Sequence, residues 1–417
     1  MQPDPLSRDA VQEVLARLVR IPSVNPALAP GEGTGEEAVA RFAVDWLAAR
    51  GVRAWLEEAA PGRPNAVAEV GSGDGPTLVL CAHLDTVGTA GMEIPPFEPR
   101  VEGGRLYGRG SYDMKGGAAA IMAALAALAR EGLTGRVLGA LVCDEEYASI
   151  GASDFVRRHR ADACIVTEPS EGRLILAHKG FVWLELVTRG VAAHGSRWDL
   201  GVSAIGRMGR IIAALEELDR TELRRRVHPL VGPASLHCAL IEGGTGLSTY
   251  AAECRLSVER RTLPGETTAQ VVAEVEAAVR RAGEEAEVRV LLDRPPLECD
   301  RDADIARCVR SAAAAVTGAE PEEAGVAYWM DAAIFAGAGV PTVNYGPAGA
   351  GAHAAVEWVD VNSVVTCARV LVDAARAFCG GGAPGAPQAP RSPEPKARSP
   401  AAAPPRRCPA IAEENHG

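Results

Sequence analysis

Five residues of types that ligate divalent metals stand at the ends of apolar runs: His83, Asp113, Glu146, Glu168 and His353. A sixth acid, Glu145, stands beside one of them. Two imidazoles and three carboxylates, with a spare carboxylate adjacent, are what a two-metal hydrolase needs: ligands for two cations and a base left free to move a proton.

The local settings differ. His83-Leu84-Asp85 follows the apolar run 77–81. In extended backbone, residues two apart share a face, so the Asp85 carboxylate can support a metal-bound imidazole from behind. A structural histidine at a strand end is the alternative. Segment 108–117, Gly-Arg-Gly-Ser-Tyr-Asp-Met-Lys-Gly-Gly, lets backbone approach a site closely and then turn into a helix. A phosphate-cradling loop would end in Lys-Ser/Thr, and an acid at its centre would repel the phosphate. Asp113 is therefore a ligand or the cap of the following helix. Asp144-Glu145-Glu146 closes an apolar run ending at Cys143. Three adjacent acids repel one another unless a cation sits among them; a solvated turn is the other reading. Glu168 ends 164–167 ahead of Pro169, and His353 follows the strand 340–345 and a Gly/Ala loop. Each alone is a weak signal. Jointly, they place ligands where open α/β sheets collect them, at the carboxyl ends of strands.

The elements that must position these residues alternate. Helices are expected over 7–20, with Ser7 as N-cap, and over 35–50, ending at Gly51. Strands are expected over 64–70, 77–82, 136–143 and 162–167, and a helix from Gly116 to about Arg130. This is an α/β pattern with strands buried on both faces. The order then changes to strand 181–188, helix 201–218, strands 234–241 and 250–259, helix 267–282 and strand 286–293, the βαββαβ of a ferredoxin-like unit. Helix 302–317, an apolar stretch at 332–338, strand 340–345 and helix 361–378 resume the first pattern. The expected fold is an α/β domain with a central, mostly parallel sheet over 1–179 and 294–379, an inserted α+β domain over 180–293, and a Pro/Ala/Gly-rich disordered tail over 380–417.

Composition narrows the partners. The chain has 417 residues, 47% of them apolar, enough for more than one core. A formal charge of −11 argues against nucleic acid or an anionic membrane as the main partner. The ten cysteines form no CxxC pair, and several lie inside apolar runs, which suits a reducing cytoplasm without disulfides. The N-terminus carries no signal-peptide pattern. The Ala-rich uncharged run 116–129 is too short to span a bilayer.

At its candidate ligands the chain resembles the dinuclear zinc amidohydrolases. These include acetylornithine deacetylase, succinyl-diaminopimelate desuccinylase, the aminoacylases and glutamate-releasing carboxypeptidases. The resemblance covers about residues 8–379. It implies His83 and Glu168 on one zinc, Glu146 and His353 on the other, Asp113 bridging both, and Asp85 orienting His83. Glu145 would be the general base of a metal-bridged water's attack on an amide. Cobalt or manganese could replace zinc. His194, in Gly190-Val-Ala-Ala-His-Gly-Ser196, resembles the histidine that reaches the partner subunit's active site as oxyanion donor. Arg261 resembles the arginine that takes the substrate carboxylate; a solvated charge run, with Arg260 pointing outward, is the alternative. Two positions depart from the family: Ser248-Thr-Tyr-Ala251 replaces Asn-x-x-Pro, and Trp198 stands where proline is common. The resemblance implies a cytoplasmic homodimer, paired through the inserted domain, that hydrolyses an N-acyl amino acid. A dipeptidase or carboxypeptidase on the same site, and a non-catalytic binding relative, are the competing readings.

Overall fold

A computed structural model describes residues 4–29 and 31–380. Apart from Gly380, the tail expected to be disordered lies outside the described residues.

Helices α1 (Arg8–Arg20) and α2 (Glu37–Ala48) lead into strands β1 (Arg53–Ala60), β2 (Arg63–Gly71) and β3 (Thr77–His83). Short strands β4 (Arg100–Glu102) and β5 (Arg105–Tyr107) precede α3 (Gly116–Leu128), β6 (Arg136–Val142), α4 (Ile150–Arg158), β7 (Ala163–Val166) and β8 (Leu174–His178). There follow β9 (Gly180–Arg189), α5 (Ala204–Thr221), a small ribbon of β10 (Val227–His228) and β11 (Gly232–Pro233), then β12 (Ser235–Gly243), β13 (Glu253–Thr262), α6 (Thr268–Arg281) and β14 (Glu287–Arg294). The chain continues through β15 (Leu297–Glu298), α7 (Asp304–Thr317), β16 (Glu323–Val326), α8 (Ala332–Gly337), β17 (Thr342–Asn344), β18 (Gly349–Ala350), β19 (Trp358–Asp360) and α9 (Val361–Cys379).

The large sheet runs β1-β2-β6-β3-β7-β17-β8-β15, with β16 beside β8. Its centre, β6-β3-β7-β17, is parallel; β1, β2, β8 and β15 join antiparallel, and β16 lies parallel to β8. Strand β3 explains the two-sided burial. Leu78, Leu80 and Ala82 pack into the core shared with α1, α2, α3, α7 and α9, whereas Val79 and Cys81 face the core containing Phe155 of α4 and Phe335 of α8. The period-2 alternation of side chains sends one strand into two apolar layers. Helix α3 is buried almost all round, as its uncharged sequence requires.

Residues 180–294 build a second sheet, ordered β12-β13-β9-β14 and antiparallel throughout. Counted along this segment, that is second-third-first-fourth, the ferredoxin-like arrangement anticipated from βαββαβ. Helices α5 and α6 cover one face and share their own core, with Leu184, Leu186, Leu256 and Val258 below Met208, Ile211, Leu215, Val271 and Val275. The other face is open, so β13 alternates buried and half-buried positions.

Several elements were not anticipated: β1, α4, β8 and the small sheet β18-β19-β5-β4. The strands of the small sheet are too short for a period to register. Ser7 does cap α1, its hydroxyl accepting from the Ala10 amide.

Candidate active site

Every candidate ligand reaches one end of the large sheet. His83 is the last residue of β3, Glu168 stands just after β7, and Glu146 comes from the turn after β6. Asp113 lies in the turn before α3, and His353 in the loop between β18 and β19 with φ 60°. Glycine permits the approach. Gly110 has φ 76°, the left-handed region. A Cβ on Gly117 would stand 2.3 Å from the Thr167 carbonyl oxygen, so only glycine lets α3 begin against the strand end that carries Glu168.

Two groups result, sharing Asp113. His83, Asp113 and Glu168 bring one ligand atom each within 4.8 Å of one another, and so do Asp113, Glu146 and His353. The His83 Nε2 lies 3.2 Å from Asp113 Oδ1 and 3.5 Å from Glu168 Oε1. The His353 Nε2 lies 3.3 Å from Asp113 Oδ2 and 3.2 Å from Glu146. Glu145 belongs to neither group but lines the same cavity.

The histidine tautomer is fixed from behind. His83 Nδ1 is 2.9 Å from the main-chain oxygen of Asp85, which can only accept, so Nδ1 keeps a proton and Nε2, facing the carboxylates, is the nitrogen that would give up its proton to a metal. The support therefore comes chiefly from the Asp85 carbonyl; the side-chain oxygen is 3.5 Å away. The Asp85 carboxylate instead accepts the amides of Glu145 and Glu146, each at 3.1 Å, and the Asn25 amide at 2.8 Å. It holds the turn that presents the base and its neighbouring ligand. Of the three adjacent acids, Asp144 turns away with φ 70° and pairs with Arg63 at 2.9 Å. The repulsion expected among three is thus left to Glu145 and Glu146.

Among the described residues, charge in the cleft is compensated by protein only through the two imidazoles. Burial, with Glu168, Asp331 and Glu146 nearby, holds the Glu145 carboxyl well above the usual range against the pull of His83. Burial and Asp113 likewise raise Glu146, and burial raises Glu168 strongly. Burial opposes the charge on His83, yet Glu168, Asp113 and Asp85 outweigh it and hold its imidazole far above the ordinary value. Hydrogen bonds to Asp113 and Glu146 raise His353 to about 10. Four carboxylates converging on two imidazoles are a strong demand for cations, and the mixed N/O donor set suits divalent first-row metals.

A cavity of about 370 Å3 opens over the groups, lined by Tyr112, Glu171, Arg173, Tyr328 and Trp329 as well as the acids and His353. That volume suits a small molecule. Of the remaining predicted residues, His194 lies in the loop after β9 with its Nδ1 2.8 Å from Ser196 Oγ, and Ser248 faces it, the Ser248 carbonyl accepting from the Gly195 amide at 2.7 Å. Arg261, at the end of β13, pairs with Glu259 at 2.6 Å and lies over the Phe181 ring. None of these three lines the cavity. The alternative in which Arg260 points outward does not hold: Arg260 is buried between Glu266 and Glu274, and Arg261 is the half-exposed member.

Sequence reasoning missed Arg173, Tyr328, Trp329 and Asp331. Asp331 is buried, and burial, against the pull of Ser149 and His83, pushes its carboxyl up to about 7. A lone acid ahead of the apolar stretch 332–338 was the available signal.

The family model described as Peptidase family M20/M25/M40 matches residues 79–377, which include all five candidate ligands and Glu145. The chain belongs to this M20 family. An acetylornithine deacetylase from Myxococcus xanthus is 32% identical over 339 residues, covering 78% of this chain and 87% of the relative. An N-formyl-4-amino-5-aminomethyl-2-methylpyrimidine deformylase from Bacillus subtilis is 34% identical over 243 residues, 53% of this chain and 57% of that protein. Among solved structures, the Bacillus cereus aminopeptidase PepT superposes with a TM-score of 0.73 at 20% identity, covering 89% of this chain and 98% of its own. A dinuclear metal-binding M20 peptidase from Bacillus subtilis superposes at 0.69 and 17% identity, covering 89% and 98%. The two structures share the fold. As an M20 member the protein is a metal-dependent hydrolase of amide bonds with a divalent-metal cofactor. Among the described residues, no helix is long and apolar enough to cross a membrane.

Proposed function

We propose that this M20 enzyme hydrolyses the amide bond of an N-acyl amino acid, with deacylation of an ornithine-like substrate as the preferred case. The carrying observation is the pair of His/carboxylate groups joined at Asp113, with Glu145 beside them and outside both. In this reading His83 and Glu168 hold one zinc, His353 and Glu146 hold the other, and Asp113 serves both; cobalt or manganese are the alternatives. Cations held there would lower the pKa of a water and polarise an amide carbonyl. Glu145 takes the water's proton on a carboxylate oxygen and returns it to the leaving amine. Asp85 keeps Glu145 and Glu146 in register.

The inserted sheet supplies the remainder. His194 serves as oxyanion donor in a second copy's cleft, which accounts for its distance from its own. Arg261 and Ser248 serve the substrate carboxylate. Arg173, in the cavity lining and without an ion pair among the described residues, is a second guanidinium for that role. Pairing of two copies is supported by β12, an edge strand whose Leu240 and Ile241 are 69% and 53% exposed, and by Trp198 at 80%. The divisions at 179/180 and 293/294 are supported by the separate core of the inserted sheet. A cytoplasmic site is supported by nine free cysteines among the described residues.

The test is a hydrolysis screen of metal-loaded protein on N-acetyl, N-succinyl and N-formyl amino acids and on dipeptides. Release of an amino acid from the acyl substrates is expected. Turnover confined to dipeptides would replace this reading with a dipeptidase, and no turnover on any substrate would favour a binding relative.

A further inference from the structure

Behind the metal-ligand residues lies a second, fully internal pair of charges that the proposed mechanism does not use. Glu357 and Arg109 are 0% and 2% exposed, and the Arg109 Nη1 stands 2.8 Å from Glu357 Oε2. The Glu357 carboxylate accepts three further bonds, all from main-chain amides of the turn that carries Asp113. Gly110 donates to Oε2 at 2.9 Å, and Tyr112 and Asp113 donate to Oε1 at 2.9 and 3.0 Å. Four donors on one buried anion fill its acceptor sites with charge-assisted bonds. Arg109 spends its other nitrogens elsewhere. Nε donates to the Gly88 carbonyl at 3.2 Å, and Nη2 donates to the Ala354 carbonyl at 3.3 Å. Ala354 directly follows His353, a non-glycine residue in the left-handed region. Such a backbone persists only where its surroundings over-determine it.

We propose that Glu357 and Arg109 are positioning residues with divided labour: Glu357 fixes the Asp113 turn, and through it both metal sites, whereas Arg109 fixes the His353 loop, and through it one site. This rests on the ligand assignment above. The division follows from topology. Asp113 belongs to both ligand groups, so loosening its turn disturbs both. His353 belongs to one group, so loosening its loop leaves His83, Asp113 and Glu168 in place. Charge and shape are both required. Glutamine at 357 would turn an NH2 toward amides that also donate. Lysine at 109 cannot reach Glu357, Gly88 and Ala354 together, because it lacks the planar fork.

The experiment is a competition titration of metal-free protein with zinc against a chromophoric chelator, which resolves two affinities without reference to turnover. Three variants are compared with wild type: Glu357→Gln, Arg109→Lys, and Val275→Ala as a control that is destabilised in the separate core of the inserted sheet. Glu357→Gln should weaken both sites by at least about tenfold, the scale of one lost hydrogen bond to a charged group. Arg109→Lys should weaken one site by that amount and leave the other at wild-type affinity. The control should keep both. Wild-type affinities in the first two variants would overturn the proposal. So would equal weakening of both sites by Arg109→Lys, or a matching loss in Val275→Ala, which would make general destabilisation the cause. Wild-type protein that takes up no zinc would sink the dinuclear reading itself, and this inference with it.

Discussion

At the scale of single residues, the cleft is organised by what each carboxylate is prevented from doing. Asp85 is occupied by three donors, Asp144 by Arg63, and Glu357 by four, so none of them is free to take a metal or a proton. Glu145 lines the cavity outside both ligand groups, and a base kept off the metals is the one able to cycle a proton. Glu145→Ala should retain both metals yet lose roughly 100-fold or more in turnover, the usual worth of a general base. Metal analysis beside steady-state kinetics checks this, and near wild-type turnover would remove Glu145 from the mechanism. The imidazoles give a second prediction, about pH. With no metal bound, carboxylate neighbours hold His83 far above its ordinary pKa and His353 at about 10, so both are protonated near neutrality. A ligating imidazole must be neutral, so each metal displaces at least one proton, and affinity rises with pH until His353 titrates near 10. Calorimetry of metal uptake at pH 7.5 in buffers of different ionisation enthalpy counts the protons; none released would mean the histidines are not ligands.

At the scale of elements, what was legible in the sequence and what was not divide along physical lines. Strands β3, β6 and β7 are buried on both faces, so each reads as an unbroken apolar run, and a polar residue at its end stands out. That is why His83, Glu146 and Glu168 could be found without coordinates. Arg173, Tyr328 and Trp329 could not, since each sits in irregular chain where no period marks a face, and the cleft brings them together from distant positions. Arg260 and Arg261 were indistinguishable for a related reason: adjacent residues on a strand face opposite ways, and register decides which one is buried. Glycine made part of the site legible, and it supplies a prediction at this scale. The Gly117 Cβ position is 2.3 Å from a carbonyl oxygen of the chain that carries Glu168, and main chain cannot rotate aside as a side chain can. Gly117→Ala must push α3 away from β7. The expected cost is overpacking of about 1–3 kcal/mol in urea denaturation, together with weaker metal binding. A variant with unchanged midpoint and metal content would mean that the strand end yields freely.

At the scale of the whole molecule, the proposed chemistry is divided between the large sheet and the inserted one. The proposed metal ligands and base ride on the large sheet, which is packed on both faces. His194, Ser248 and Arg261 ride on the inserted sheet, and none of them lines the cavity of the same chain. The exposed His194 imidazole bonds with Ser196, two residues away, and its main chain bridges to Thr249. Exposed Trp198 and Leu200 on the same loop, with the uncovered edge of β12, give that region the character of an unpaired surface. If a second copy covers it, each cleft is completed by the other chain's histidine. Two separately inactive variants then test the arrangement. His194→Ala lacks the oxyanion donor but keeps its base; Glu145→Ala lacks the base but keeps its donor. In a mixed dimer one cleft has both defects, and the other has Glu145 from the first chain and His194 from the second. Statistical mixing puts half the chains' dimers in the mixed form, each with one intact cleft. Activity should therefore return to about a quarter of the wild-type value, whereas the lost donor alone costs roughly 100-fold or more. Recovery absent from dimers shown to be mixed, by differential tagging and native mass spectrometry, would confine His194 to its own chain or remove it from the reaction.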